Sequence, residues 1–227
     1  MKPHKIFIYQ VLPRLLGNTQ ANNIQNGTIE ENGCGKFNDI TDKFLNQLKK
    51  NGYSHIWLIG VLAHASTTDY TKYGIPKEYP EIIKGNAGSP YAVRDVYDVD
   101  PDLAVNVNDR MNEFEALIKR IHNAGMQVII DYVPNHLARN YKSLNRPKGI
   151  KEFGSNDDTS VAFSPNNNFY YLPGEELEIQ FPVRKIADVT YKESPAKVTG
   201  NDCFTNKPTQ YDWYETIKLN YGIDMQN

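Results

Sequence analysis

The sequence predicts an α/β fold built on parallel strands, and three observations carry that prediction. Strand-like and helix-like segments alternate across residues 6–130. The turns from each helix back into a strand are short, as in right-handed crossover units. The third strand-like run, Val128-Ile129-Ile130, is apolar without polar alternation, which suits a strand covered on both faces.

Residues 6–11 read as the first strand and end at Leu12-Pro13-Arg14. Residues 18–35 are rich in Asn and Gly and read as a loop. Asp39 or Thr41 can cap a helix that sets Phe44, Leu45 and Leu48 on one face, and Gly52 ends it. Residues 56–59 form a second apolar strand. About 48 residues then separate Gly60 from Asp109, and loops that long in a compact domain are usually functional. Residues 109–124 read as an amphipathic helix with a stripe of Met111, Phe114, Leu117, Ile118 and Ile121, and Gly125 closes it. After His136 the periodic signal is lost. Residues 137–227 hold short alternating pieces, such as Leu177-Glu178-Ile179-Gln180-Phe181, among Pro and Gly. Their aromatics stay dense (Phe163, Phe169, Tyr170, Tyr171, Tyr191, Tyr211, Trp213, Tyr214), which argues against a disordered tail. A strand-rich inserted subdomain over 137–227, following a first part over 1–136, is the expectation.

The charge balance, 25 Lys plus Arg against 27 Asp plus Glu, leaves no basic stripe for nucleic acid and no acidic tail. No run approaches a membrane span, and the apolar run after Lys5 is too short for a signal peptide. Cys34 and Cys203 form no CxxC pair and read as reduced thiols of a cytoplasmic protein.

Candidate chemistry gathers where the third strand stops, because α/β folds collect function at the carboxyl ends of their strands. Asp131 there suits catalysis, metal binding or pairing with an arginine, and a plain loop cap suits it as well. Asn135 offers a carbonyl oxygen that a hard cation such as Ca2+ accepts, or closes an Asx-turn after Pro134. His136 can bond a substrate hydroxyl or stand in solvent. In the long connection, Tyr91 offers a ring face to the C–H face of a sugar, or anchors a packed loop. His55, His64 and His122 lack metal-ligand spacing, and neither a phosphate loop nor a G-x-S-x-G elbow is present.

Taken in order, these pieces resemble the α-amylase family of glycoside hydrolases and transglycosidases. The match runs through Tyr9-Gln10-Val11-Leu12-Pro13-Arg14, His55-Ile56-Trp57-Leu58-Ile59-Gly60-Val61 and Tyr91-Ala92-Val93-Arg94-Asp95-Val96-Tyr97. It continues into Asp131-Tyr132-Val133-Pro134-Asn135-His136, which looks like the family's D-x-x-x-N-H signature, and Lys218-Leu219-Asn220-Tyr221. The resemblance implies a (β/α)8 TIM barrel, represented by its first three β/α units, with a domain inserted after strand three. It implies retaining action on α-glucosidic bonds of glucans or oligosaccharides. It also implies that Asp131 orients an arginine rather than acting as nucleophile, that Tyr91, Asp95 and His136 bind the sugar, and that Asn135 contributes to a calcium site.

In the family the nucleophile and acid/base lie on strands four and five, and no G-x-R-x-D pattern follows His136. The expectation is therefore a truncated or split protein whose 227 residues are inactive alone, completed by the rest of the barrel or associating with themselves. A non-catalytic α-glucan-binding module is the competing expectation.

Overall fold

The computed structural model describes residues 5–184 and 190–226. The chain divides into two compact units. The first takes the described residues through Ala63, then Tyr70–Ile75 and Asp98–Tyr132; the second takes His64–Asp69, Pro76–Tyr97 and the described residues from Val133 onward. Much of the long connection thus folds with residues 133–227, because its polar groups find their partners there.

In chain order the first elements are β1 (Ile8–Val11), α1 (Ile29–Asn32), α2 (Asp42–Lys50), β2 (His55–Leu58), β3 (Leu62–His64), β4 (Val93–Val99), α3 (Arg110–Asn123) and β5 (Gln127–Ile130). β1, β2 and β5 form a parallel sheet with β2 in the middle, in the register Tyr9↔Ile56↔Val128 and Val11↔Leu58↔Ile130. β3 and β4 form a separate pair.

α2 starts where the Thr41 hydroxyl accepts from the Phe44 backbone N–H at 3.3 Å, and Lys49 and Lys50 sit in its last turn, against the negative end of its dipole. Gly52 (φ +92°) and Gly125 (φ +72°) turn the chain out of the two long helices, in a region where a Cβ would be strained. One sheet face, with Val11, Ile56 and Leu58, packs on Leu45 and Leu48 of α2 and Phe114, Leu117 and Ile121 of α3. Each such side chain contributes roughly 1.5–3 kcal/mol on burial.

Several expectations change in this unit. Met111 is 37% exposed, so the stripe of α3 begins at Phe114. β5 is an edge strand, with Ile130 41% exposed, and is not covered on both faces. Residues 29–32, expected as loop, form the short α1, nucleated by a capping box between Thr28 and Glu31. The three strands make a mixed α/β architecture with an open sheet, not a closed barrel.

The second unit carries β6 (His136–Ala138), β7 (Tyr171–Leu172), β8 (Ala196–Lys197) and β9 (Thr216–Lys218). β6 pairs antiparallel with β9 and β7 with β8. Its described residues are not strand-rich, and residues 177–181 form no strand. Successive amides there bond unrelated partners, Leu177 N–H to the Glu193 carbonyl and Glu178 N–H to that of Asn206. Side chains supply the missing regularity. Arg139, fully buried, pairs with Glu193 at 2.5 Å and donates to the carbonyls of Tyr214, Lys197 and Thr216. Removing one member of so buried a pair costs about 3–5 kcal/mol.

Candidate functional site

β6 and β9 build the site. Their antiparallel register sets His136 opposite Lys218 and Ala138 opposite Thr216. The segment leading into β6 is tied to the chain that continues β9: Leu219 N–H donates to the Asn135 carbonyl at 3.1 Å, and the Tyr221 hydroxyl donates to that of Pro134. The signature around Asn135 and the Lys218-Leu219-Asn220-Tyr221 motif, far apart in sequence, are therefore one structural piece.

Beside it lies a cavity of about 440 Å³ lined by Lys84, Ser89, Tyr91, Val133, His136, Trp213, Glu215 and Thr216. His136 is buried, and its Nδ1 accepts from the Asn135 amide at 3.0 Å. That contact places the proton of the neutral ring on Nε2. Burial lowers the His136 pKa below its ordinary value; a hydrogen bond to the Tyr91 backbone opposes this, and the Lys218 charge adds to it. The imidazole is thus neutral at pH 7, with one ring nitrogen engaged by Asn135 and the other by the Tyr91 backbone. The loop holding Tyr91 is set by Ser89, whose carbonyl accepts from Ala92 N–H at 3.0 Å and whose hydroxyl accepts from Tyr91 N–H at 3.3 Å. The Tyr91 ring is left 39% exposed.

The other sequence-predicted residues lie elsewhere. Asp95 does not line this cavity. It is fully buried, accepting from the Ser143 hydroxyl at 2.8 Å and the Leu144 N–H at 2.7 Å on one side, and from Tyr97 N–H at 2.8 Å on the other. It serves as the anchor of the 143–145 loop. Asp131 belongs to the first unit, half-buried, with its N–H donating to the Leu58 carbonyl at 3.0 Å just past the end of the β2–β5 ladder.

Both ends of the Asn135 carboxamide, the expected calcium ligand, bond to protein groups. Its amide nitrogen donates to the Gly200 carbonyl at 2.8 Å and to His136, which fixes Oδ1 on the opposite side. There Oδ1 accepts from the Lys218 ammonium at 2.6 Å, and the same ammonium pairs with Asp202 at 2.8 Å. Among the described residues no group of three or more His, Cys, Asp or Glu side chains is placed to hold a metal ion.

Lys84, Trp213 and Glu215 also line the cavity, where sequence reasoning did not place them. The signal for the last two was their place just before the Lys218-Leu219-Asn220-Tyr221 motif, since an antiparallel partner of the His136 strand brings its neighbours to the same cavity.

The chain is a member of the α-amylase family: residues 10–162 match the family model described as alpha amylase, catalytic domain. It is similar to Maltase 1 of Drosophila virilis, 25% identical over 217 residues that make up 88% of this chain and 28% of that protein. It is also similar to Alpha-amylase 2 of Dictyoglomus thermophilum, 24% identical over 115 residues, covering 51% of this chain and 18% of that protein. The chain thus spans less than a third of each of these relatives. Among solved structures it resembles an α-amylase from Lactobacillus plantarum, with 24% identity, TM-score 0.40, and coverage of 61% of this chain and 24% of that one. It also resembles an α-amylase from Geobacillus thermoleovorans complexed with acarbose, with 24% identity, TM-score 0.39, and coverage of 59% and 24%.

Proposed function

We propose that these residues form the N-terminal part of the catalytic domain of an α-amylase-type glycoside hydrolase. In the complete protein it acts on α-glucosidic bonds of glucans or oligosaccharides with retention. The observation that carries this reading is the convergence of Tyr91 and His136, distant in sequence, on one cavity. An exposed aromatic face suits a sugar ring's C–H face, and the buried imidazole forms part of the same wall. Asp131 is assigned the task of orienting an arginine from a later strand. The sheet β1-β2-β5 then counts as the first three strands of a (β/α)8 barrel whose remaining strands complete the fold.

Retention requires a nucleophile and an acid/base about 5 Å apart. The cavity's one carboxylate, Glu215, is held by Lys84 at 3.1 Å, so the reacting pair is assigned to later strands. The 227 residues alone are expected to bind maltooligosaccharides without turning them over. No calcium is assigned to Asn135, because Lys218 satisfies it. A cytoplasmic setting is proposed, which the free thiols of Cys34 and Cys203 suit.

The test is paired: calorimetric titration of the isolated chain with maltotriose, and a reducing-sugar assay of the complete polypeptide. Binding in the first and turnover in the second are expected; turnover by the isolated chain would overturn the assignment. The absence of a carboxyl pair from the cavity gives weight to a second reading, a non-catalytic α-glucan-binding module. Affinity without turnover in the complete polypeptide would favour it.

A further inference from the structure

The β6–β9 ribbon serves a second cavity besides that of Tyr91 and His136. Thr216 lines the first, whereas the next residue, Ile217, lines one of about 590 Å³. Successive side chains of a strand point to opposite faces, so one strand can wall both. The two cavities share no lining residue among those described.

The charges of the second cavity do not balance. Arg139, Lys192 and Lys197 line it against one acid, Glu193. Glu193 is engaged in structure: Oε1 accepts from Arg139 at 2.5 Å and from the Lys197 N–H at 2.7 Å, and Oε2 accepts from the Tyr191 hydroxyl at 2.8 Å. Arg139 is fully buried and also donates to the carbonyls of Tyr214, Lys197 and Thr216. Lys197 is the cation left over. Its ammonium has three donors, and its one hydrogen bond among the described residues is a 3.5 Å contact with Glu193 Oε2. The side chain is 22% exposed, with the ammonium 6.0 Å from the centroid of Phe169, another wall of the same cavity. A half-sheltered cation with free donors attracts an anion more strongly than a lysine on open surface. Lys192, exposed, adds a second positive charge.

Other lining groups suit hydroxyls. The Asn140 amide nitrogen donates to Glu78 Oε2 at 3.1 Å, and the carbonyl oxygen beside it takes no bond from a described residue. Thr159 and Ser194, both exposed, supply hydroxyls that donate or accept. A cavity of this volume accommodates a small organic molecule rather than a bare ion.

We propose that this cavity binds a small hydroxyl-rich anion, a sugar phosphate or a sugar acid. Its anionic group sits on Lys197 and Lys192, and its hydroxyls meet Asn140, Thr159 and Ser194. The site stands or falls independently of the reading given to Tyr91 and His136.

The experiment titrates glucose 6-phosphate, glucuronate, glucose and inorganic phosphate into the complete polypeptide and its Lys197→Met, Lys192→Gln, Lys207→Gln and Tyr91→Ala variants, with melting curves confirming each fold. Glucose 6-phosphate or glucuronate should bind at least about tenfold more tightly than glucose or phosphate, and the tighter of the two identifies the anionic group. Lys197→Met should weaken that ligand about tenfold and Lys192→Gln about threefold. Lys207, an exposed lysine outside the cavity and paired with Glu178, controls for diffuse attraction. Its variant should leave the affinity unchanged, as should Tyr91→Ala. Binding of neither anion, no loss in Lys197→Met and Lys192→Gln, an equal loss in Lys207→Gln, or a loss confined to Tyr91→Ala would overturn the site. Inorganic phosphate binding as tightly as glucose 6-phosphate would overturn it too, since the cavity would then not read the hydroxyls.

Discussion

At the scale of single residues, the site depends on close approach. Gly200 lies under His136, and a Cβ built there would sit 2.8 Å from the His136 Cβ and closer still to the Thr216 hydroxyl. Gly200→Ala should therefore push the imidazole out of the cavity, destabilising the fold by about 1–3 kcal/mol. Melting curves and maltotriose affinity should fall together, and an unchanged affinity would show that the contact relaxes freely. His136 itself makes stability depend on pH. Its folded pKa lies below the ordinary 6.5, so between the two values the unfolded chain binds more protons than the folded one. Its contribution is present in full above pH 6.5 and is lost as pH falls below it. Glu78 opposes this, because burial pushes its carboxyl up to about 7, against the hydrogen bond from Asn140 and the charge of Arg94. Its contribution is full below its ordinary 4.5 and is lost as pH rises through about 7. Subtracting the urea-unfolding curve of His136→Asn from that of the parent between pH 5 and 7 should isolate the histidine term. A flat difference would refute it.

At the scale of elements, the network around Lys218 ties β9 to the strap before β6 and to the turn at Asp202. Its ammonium bridges the Asn135 carboxamide oxygen and the Asp202 carboxylate, and we propose that it serves there in place of a divalent cation. Millimolar calcium or a chelator should therefore leave the melting temperature unchanged. Lys218→Met should cost about 1–3 kcal/mol, since two charge-assisted bonds are lost. A melting temperature that rises with calcium in the parent protein would count against Lys218 as the resident cation. The long helices and parallel strands were legible in the sequence because each repeats an apolar period and ends at a glycine or a cap. Tyr91 and His136, singled out from a strand end and the motifs around them, line one cavity. The role of Asp95 was not legible, since a carboxylate in a polar-apolar run reads the same whether it faces a ligand or anchors a loop such as 143–145. Trp213 and Glu215 were hidden because an antiparallel pairing between β6 and β9 brings them to the cavity, and that second unit is organised by side-chain bonds that have no period to read.

At the scale of the whole molecule, one face of the sheet packs on α2 and α3 within its own unit. In the register of β1, β2 and β5, Ile8, Trp57 and Ile129 point away from the α2–α3 core. Ile8 is 45% exposed, and the buried Nε1 of Trp57 takes part in no hydrogen bond among the described residues. Among the described residues no strand pairs with the outer edges of β1 and β5, and such edges invite further strands. Exposed apolar side chains and open strand edges are costly in water, and a barrel removes both by closing on itself. The 227 residues expressed by themselves should therefore associate. Sedimentation velocity should show species larger than one chain at micromolar concentration, and Ile8→Lys with Ile129→Lys should shift the distribution toward the monomer. The complete polypeptide should sediment without this association, because its own later strands would occupy the face and edges. A stable, concentration-independent monomer of the short chain would show instead that the three-stranded sheet is sufficient by itself, and the case for further strands pairing with β1 and β5 would lose its physical basis.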